Sequence, residues 1–379
     1  MTRREILMRT LQGQPVPKVP FCFYEINAFD QKHDDPDPFN VYNDPSWKPL
    51  LELAAERSYR IIMRGVVFES NLPNPAEKFS VNTIKYEGDS IFYTSTIKIG
   101  KRTLTSRARR DKDVNTIWTM EHLLKDTEDL KAFLSLPVME FSGKPKIESV
   151  TEAEKAIGDS GIVMIDTADP LCLAASLFHM EDFTIIAMSE QKLFHQLLDR
   201  FAYELFPKTE AIAKALPGRL WRIYGPEYAS PPYLPPSLFK EYAADYDRQM
   251  VASIQKYGGF ARIHSHGNLM AILDHIASTG CSALDPIEPP PQGDVSLSYV
   301  RKKYGQQMVL FGNIEASDIE NLPENFFAEK VRKALEEGTE GKGRGFVLMP
   351  SASPYGRKLS AQALRNYEIM TNLAEQFSL

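Results

Sequence analysis

Short apolar runs rich in β-branched and aromatic residues recur along the chain, separated by longer stretches with apolar residues at i, i+3 and i+4. The runs are residues 18–25 (KVPFCFYE), 59–67 (YRIIMRGVV), 161–166 (GIVMID), 219–224 (RLWRIY), 259–264 (GFARIH), 283–288 (ALDPIE), 308–313 (MVLFGN) and 346–350 (FVLMP). Such runs read as strands, and the periodic stretches between them, including 191–215, 236–257, 270–279, 324–337 and 361–377, read as helices. Strands alternating with helices predict a parallel sheet with crossover helices, and eight strands are what a closed (β/α)8 TIM barrel needs. Residues 78–110 break this rhythm. They alternate with period two and carry turn signals at Glu87-Gly88-Asp89 and Gly100, which predicts an antiparallel hairpin inserted after the second strand. No repeat, low-complexity tract or flexible linker divides the chain, so residues 1–379 are expected to form a single barrel domain. A doubly wound open sheet is the competing architecture, and the lack of a Gly-rich phosphate loop counts against it.

Composition narrows the class of function. The chain is 43% hydrophobic and 25% charged, with a formal net charge of −6. That balance argues against a general nucleic-acid role, which needs a basic footprint. The three cysteines (Cys22, Cys172, Cys281) are widely spaced and form no C-x-x-C pair, which suits a reducing compartment rather than a disulfide framework. The first residues carry no long apolar stretch of the signal-peptide kind, and no segment reaches the ~20 apolar residues needed to span a bilayer. The expected location is the cytoplasm, with no membrane partner.

In a (β/α)8 barrel, chemistry sits at the C-terminal ends of the strands. The predicted strand ends supply Glu25, Arg64, Asp166 with Asp169, Glu227, His264 with His266, Asp285 with Glu288, Asn313 with Glu315, and Ser351 with Ser353. Some of these Asp, Asn and Ser residues equally suit helix N-caps. His264 and His266 are two apart at a strand terminus, where extended backbone turns both to one side. Such a pair can chelate one divalent ion; equally, either imidazole can simply hydrogen-bond a strand-end carboxylate. The preceding strand leads into Tyr224-Gly-Pro-Glu227-Tyr228-Ala-Ser-Pro-Pro-Tyr233-Leu-Pro-Pro236, a proline-stiffened loop that puts Glu227 one strand over from the histidines. Glu241 falls about one turn into the next helix, either facing the mouth or on a solvated helix face. Two histidines and a glutamate with an open fourth position are a known zinc arrangement. Gly341-Lys-Gly-Arg-Gly345 precedes a strand rather than a helix and reads as a turn, not a phosphate cradle.

These residues resemble a known family. Arg262-Ile-His264-Ser-His266-Gly267-Asn268, followed by Thr279-Gly-Cys-Ser-Ala-Leu-Asp285, resembles the H-x-C-G-N … G-x-D-x-L core of the uroporphyrinogen decarboxylase superfamily. Leu310-Phe-Gly-Asn313-Ile and the stretch from Gly345-Phe-Val-Leu-Met-Pro-Ser351 to Asn366 look like its last two barrel strands. Thr2-Arg-Arg-Glu-Ile-Leu7 through Pro17-Lys-Val-Pro20 looks like its first helix and strand. True uroporphyrinogen decarboxylases carry an Arg-Gln-Ala-Gly-Arg signature after the first strand. Here residues 21–30 contain no arginine, although a polycarboxylate substrate calls for guanidinium forks.

The other branch of the superfamily consists of cobalamin-dependent methyltransferases. In the thiol-methylating members, a zinc site of the H-x-C…C type is expected. Here His266 replaces the first cysteine, and Ser351-Ala-Ser353 stands where the second should be. A harder N/O site suits an oxygen better than a thiolate. The resemblance therefore implies the methyltransferases that open acetogenic O-demethylation, which are associated with a Glu…Glu…His zinc motif that Glu227, Glu241 and His264 match in order. It implies Zn2+ as cofactor, with Glu227, Glu241, His264 and His266 as metal ligands. Glu227, His264, His266 and Asp285 are the implied catalytic group. The partners implied are a small methoxylated aromatic methyl donor and a corrinoid protein carrying cobalamin, and homodimers are common in the superfamily. Tyr24, Tyr228 and Tyr233 would wall the ring, unless they merely cover the rim, and Arg64 and Asn313 would contact substrate. Two other readings stand beside this one. One is a metal-independent decarboxylase-like enzyme acting on a small carboxylated substrate or uroporphyrinogen, with Arg64 binding the acid. The other is a non-catalytic barrel subunit.

Overall fold

The computed structural model describes residues 1–69, 75–138 and 140–379. Its thirteen strands, in chain order, are β1 (Arg60–Arg64), β2 (Phe68–Glu69), β3 (Ser80–Glu87), β4 (Ser90–Ile99), β5 (Arg102–Asp111), β6 (Ile117–Glu121), β7 (Lys144–Pro145), β8 (Gly161–Ala168), β9 (Leu220–Tyr224), β10 (Phe260–Ser265), β11 (Ala283–Pro286), β12 (Val309–Ile314) and β13 (Phe346–Pro350). Seven of them form one parallel sheet in the order β1-β8-β9-β10-β11-β12-β13, with helices in the crossovers. β11 and β13 are buried at every residue and β10 at all but its first, the mark of a parallel sheet covered on both faces. The long helix Gln191–Ala215 and the helices Asp245–Lys256, Glu324–Thr339 and Ala361–Gln376 turn apolar faces onto this sheet.

The run at residues 18–25 does not form an eighth strand. It contributes a single bridging residue, Phe21, between the two edge strands. Cys22 N donates to Leu348 O (3.0 Å), Leu348 N to Pro20 O (3.0 Å) and Tyr59 N to Phe21 O (2.8 Å), so the edges of the sheet are joined there. The segment is short for two physical reasons. Pro20 has no N–H to give a ladder, and the chain turns back at once, with Ile26 N bonded to Phe23 O (3.0 Å) and Tyr24 at φ +53°.

The excursion after β1 is larger than the expected hairpin. β3, β4, β5 and β6 form a four-stranded antiparallel sheet running on to Glu121, while β2 and β7 pair antiparallel nearby. The sheet buries Ile91 and Leu104 but leaves Val81, Ile84, Tyr86, Ile117 and Met120 largely exposed. A bridge between Val114 and Gly356 and the bond from Asn115 N to Tyr355 O (2.7 Å) tie it to the loop after β13. Among the described residues no helix is long and apolar enough to cross a membrane, and the three thiols are unpaired.

Candidate active site

The register of β10 against β11 builds the centre. Arg262 sits beside Ala283 and His264 beside Asp285, so the histidine and the carboxylate leave the sheet together at its C-terminal end. His264 Nδ1 lies 2.8 Å from Asp285 Oδ2, and the Arg262 Nε lies 2.9 Å from Oδ1 of the same carboxylate. All three side chains are buried. Burial works to raise the pKa of Asp285, but the charges of Arg262 and His264 outweigh it and bring the group down to about 2. An ionised carboxylate only accepts hydrogen bonds, so Nδ1 of His264 carries the proton and Nε2 is turned to the other side of the ring.

His266, just past the end of β10, repeats the arrangement. Its Nδ1 is 2.8 Å from Glu288 Oε1, and Gly267 N donates to Glu288 Oε2 (2.8 Å). Burial pulls the imidazole toward neutrality, but the bond and charge of Glu288 prevail and raise its pKa, while Glu288 is lowered in turn. The two histidine rings stand edge to face, 4.6 Å apart.

A second polar chain meets this pair from the neighbouring strands β8 and β9. Asp166 at the end of β8 grips Arg222 of β9 through two bonds, Nε to Oδ1 (2.6 Å) and Nη2 to Oδ2 (3.1 Å). Arg222 Nη1 donates to the Tyr24 hydroxyl, which lies 3.5 Å from His264 Nε2. The Tyr24 and His264 rings are near parallel, with centroids 6.0 Å apart.

Glu227 stands on the turn Pro226–Ala229, its Oε2 accepting from Gly225 N (3.0 Å). Gly225 has φ +127°, and a Cβ there would come within 2.3 Å of both Asp169 Oδ1 and Cys172 Cβ, so only glycine fits. Behind this turn Asp169 and Asp247 are fully buried. Desolvation, with their mutual repulsion and that of Glu227, raises both carboxyls well above the usual range. Glu227, Tyr228, Tyr233 and His266, together with Ser230, Asn268 and Gln292, line a cavity of about 290 Å3. Burial pushes the Tyr228 phenol up to about 12.

Not every expected residue reaches this centre. Glu241 lies on a π turn, Lys240–Ala244, that interrupts the helix predicted over 236–257. Its Oε2 is 3.6 Å from His195 Nε2, and its side chain is about half exposed. A π turn shifts every following side chain around the axis, which spoils the one-turn spacing that suggested a ligand. Among the described residues no three His, Cys, Asp or Glu side chains converge as a metal centre does, so Glu227, Glu241, His264 and His266 are not assembled as one ligand set. Asn313 lines a separate cavity with Pro289, Leu297, Lys330 and Glu337. Arg64 is held by Asp30 (Nη2 to Oδ1, 2.6 Å; Nη1 to Oδ2, 3.1 Å), and Tyr24 is buried with its hydroxyl engaged rather than standing at the rim.

The two histidines themselves fit zinc. Metal-binding imidazoles usually give the remote N–H to a carboxylate, and both rings here already do so through Nδ1. Arg222 and Arg262 escaped the sequence reading. The signal was present, because an arginine inside a short buried strand must be paired with a carboxylate.

Comparison with known proteins agrees with the fold. A methyltransferase from Methanosarcina mazei superposes with a TM-score of 0.61 at 16% identity, covering 100% of this chain and 99% of that one. A sugar phosphate isomerase/epimerase from Parabacteroides distasonis aligns at a TM-score of 0.35 and 12% identity, over 65% of this chain and 88% of that one. No curated protein sequence matches the chain. Residues 111–355, well over half the chain, match the sequence profile described as uroporphyrinogen decarboxylase (URO-D). With the motifs around His264 and Asp285 inside that span, the chain belongs to the uroporphyrinogen decarboxylase family.

Proposed function

We propose that the protein is a zinc-dependent methyltransferase of this family, moving a methyl group from a small methoxylated aromatic compound to the cobalamin of a corrinoid protein. The observation that carries the reading is the doubled imidazole–carboxylate arrangement, His264–Asp285 and His266–Glu288, beside a small cavity whose polar lining is nitrogen and oxygen. Such donors suit a hard site acting on an ether oxygen better than one activating a thiol. When bound, zinc would supply Lewis-acid polarisation of that oxygen. The protein's own part is positional. Asp285 and Glu288 fix the ring planes of the two histidines, and Tyr228 and Tyr233 line a space sized for a single aromatic ring.

The electrostatics disfavour the decarboxylase reading. Arg64, Arg222 and Arg262 are neutralised by Asp30, Asp166 and Asp285, which leaves none of the three to grip substrate carboxylates. The test is an anaerobic assay with methoxylated phenols and cob(I)alamin, free or protein-bound, following methylcobalamin by absorbance. Methyl transfer that depends on zinc and is lost in His264→Ala is expected. Turnover of uroporphyrinogen by the same preparation, with no methyl transfer, would overturn the proposal.

A further inference from the structure

The cavity beside the two histidines is one-sided in charge. Glu227 is the only carboxylate that lines it, and no lysine or arginine does so among the described residues. Apart from the phenols of Tyr228 and Tyr233, the only other ionisable group there is His266, already paired with Glu288 at 2.8 Å. The bias extends along the chain. Every lining residue falls within residues 156–191, 223–239 or 263–300, and these three stretches contain no lysine or arginine but eleven aspartates and glutamates. In the whole chain the two kinds are nearly matched, 44 basic against 50 acidic. The arginines that immediately precede two of the stretches, Arg222 and Arg262, are held by Asp166 and Asp285.

This distribution decides what a ring substituent meets. A carboxylate entering a cavity of about 290 Å3 sheds part of its water, finds no guanidinium or ammonium in exchange, and is repelled by Glu227. An uncharged polar substituent meets partners instead. Asn268 and Gln292 bring side-chain amides to the lining. Glu227 keeps Oε1 without a hydrogen-bond partner among the described residues, because Gly225 N takes only Oε2. Those groups can satisfy a phenolic O–H, an ether oxygen or an amide.

We propose that the methyl donor carries no carboxylate: the site takes an uncharged methoxyphenol and turns away a methoxybenzoate of the same shape, with Glu227 setting the difference. The selection concerns the ring consumed in the methyl transfer proposed above and so rests on that reading, but it is a property of the cavity that binding alone can measure.

The test compares two methoxyphenols that differ only in bearing a carboxamide or a carboxylate at the same ring position. Each is titrated into the full-length protein by calorimetry at pH 7 and supplied in the anaerobic methyl-transfer assay. Wild type should bind the carboxamide at least ~10-fold more tightly and show the same preference in kcat/KM. Glu227→Gln should narrow the binding ratio at least ~3-fold by strengthening the carboxylate. Gln292→Lys adds a base at an exposed position of the lining and should narrow the ratio as well, which keeps the charge test intact where Glu227→Gln disturbs its turn. Equal or tighter binding of the carboxylate by wild type overturns the selection, and methyl transfer from either ring then leaves the reaction reading standing. A preference for the carboxamide with no methyl transfer does the reverse. A ratio unmoved by both variants assigns the exclusion to shape and overturns the role of charge. If neither ring binds, the cavity is not the donor site and the inference fails.

Discussion

Replacing Asp285 by asparagine is the sharpest probe of the centre. Its carboxylate is fully buried between Arg262, also buried, and His264. Against an ordinary aspartate value near ~3.9, a group held at about 2 contributes about 2–3 kcal/mol of stability. The sign follows from the depressed value. The contribution is present above pH ~4 and disappears as the pH falls through the folded-state value. At neutral pH, Asp285→Asn removes it and also strands the Arg262 guanidinium without a counter-charge, a loss of about 3–5 kcal/mol when one partner of a buried pair is removed. At ~2.1 cal/mol/K per residue, a chain of 379 residues has an unfolding entropy of about 0.8 kcal/mol/K, so the melting temperature should drop by about 4–6 °C in calorimetry at pH 7. Arg262→Met added to the same chain removes the stranded charge and should recover part of that drop. A single variant melting within ~1 °C of wild type, or a double variant less stable than the single, would refute the electrostatic account.

Two further outcomes follow from the same geometry. Burial, then the charge of Glu288, raises Glu315 to about 7, so ionising it costs stability as the pH climbs from the ordinary glutamate range toward 7 and above. Glu315→Gln should therefore gain stability relative to wild type between pH 5 and 8, and a parallel pair of melting curves across that range would exclude a raised carboxyl. Gly225→Ala forces a methyl group into Asp169 and Cys172 at a positive φ; a loss of more than ~1 kcal/mol together with reduced methyl transfer is expected, and wild-type stability would show that the turn holding Glu227 tolerates a side chain.

What could be read from the sequence depended on parity and period. β10 and β11 run straight to their ends, so alternation placed His264 and Asp285 correctly as strand-end residues. Alternation misleads where backbone geometry departs from a regular repeat. The π turn at Lys240–Ala244 carries Glu241 to His195, and the positive φ at Tyr24 reverses a side chain that a strand would have pointed elsewhere. Arg222 was hidden for a different reason. In LWRIY it reads as one polar residue in an apolar run, and its partner Asp166 is 56 residues earlier, on a strand whose adjacency appears only once the sheet is ordered. The inserted sheet exceeds its expected extent because β6 lies beyond residue 110, where the expected excursion ended.

The join at Phe21 ties the completeness of the site to the completeness of the chain. Phe21 is synthesised well before Leu348, its bridging neighbour, more than three hundred residues further along the chain. Tyr24 and His264, 240 residues apart, can face each other in this way only when that seam has formed. Contacts of such long range form late and slowly. A nascent or C-terminally clipped chain could thus present most of the sheet while lacking the tyrosine's fixed position, so a fragment that folds is not equivalent to one that carries the finished centre.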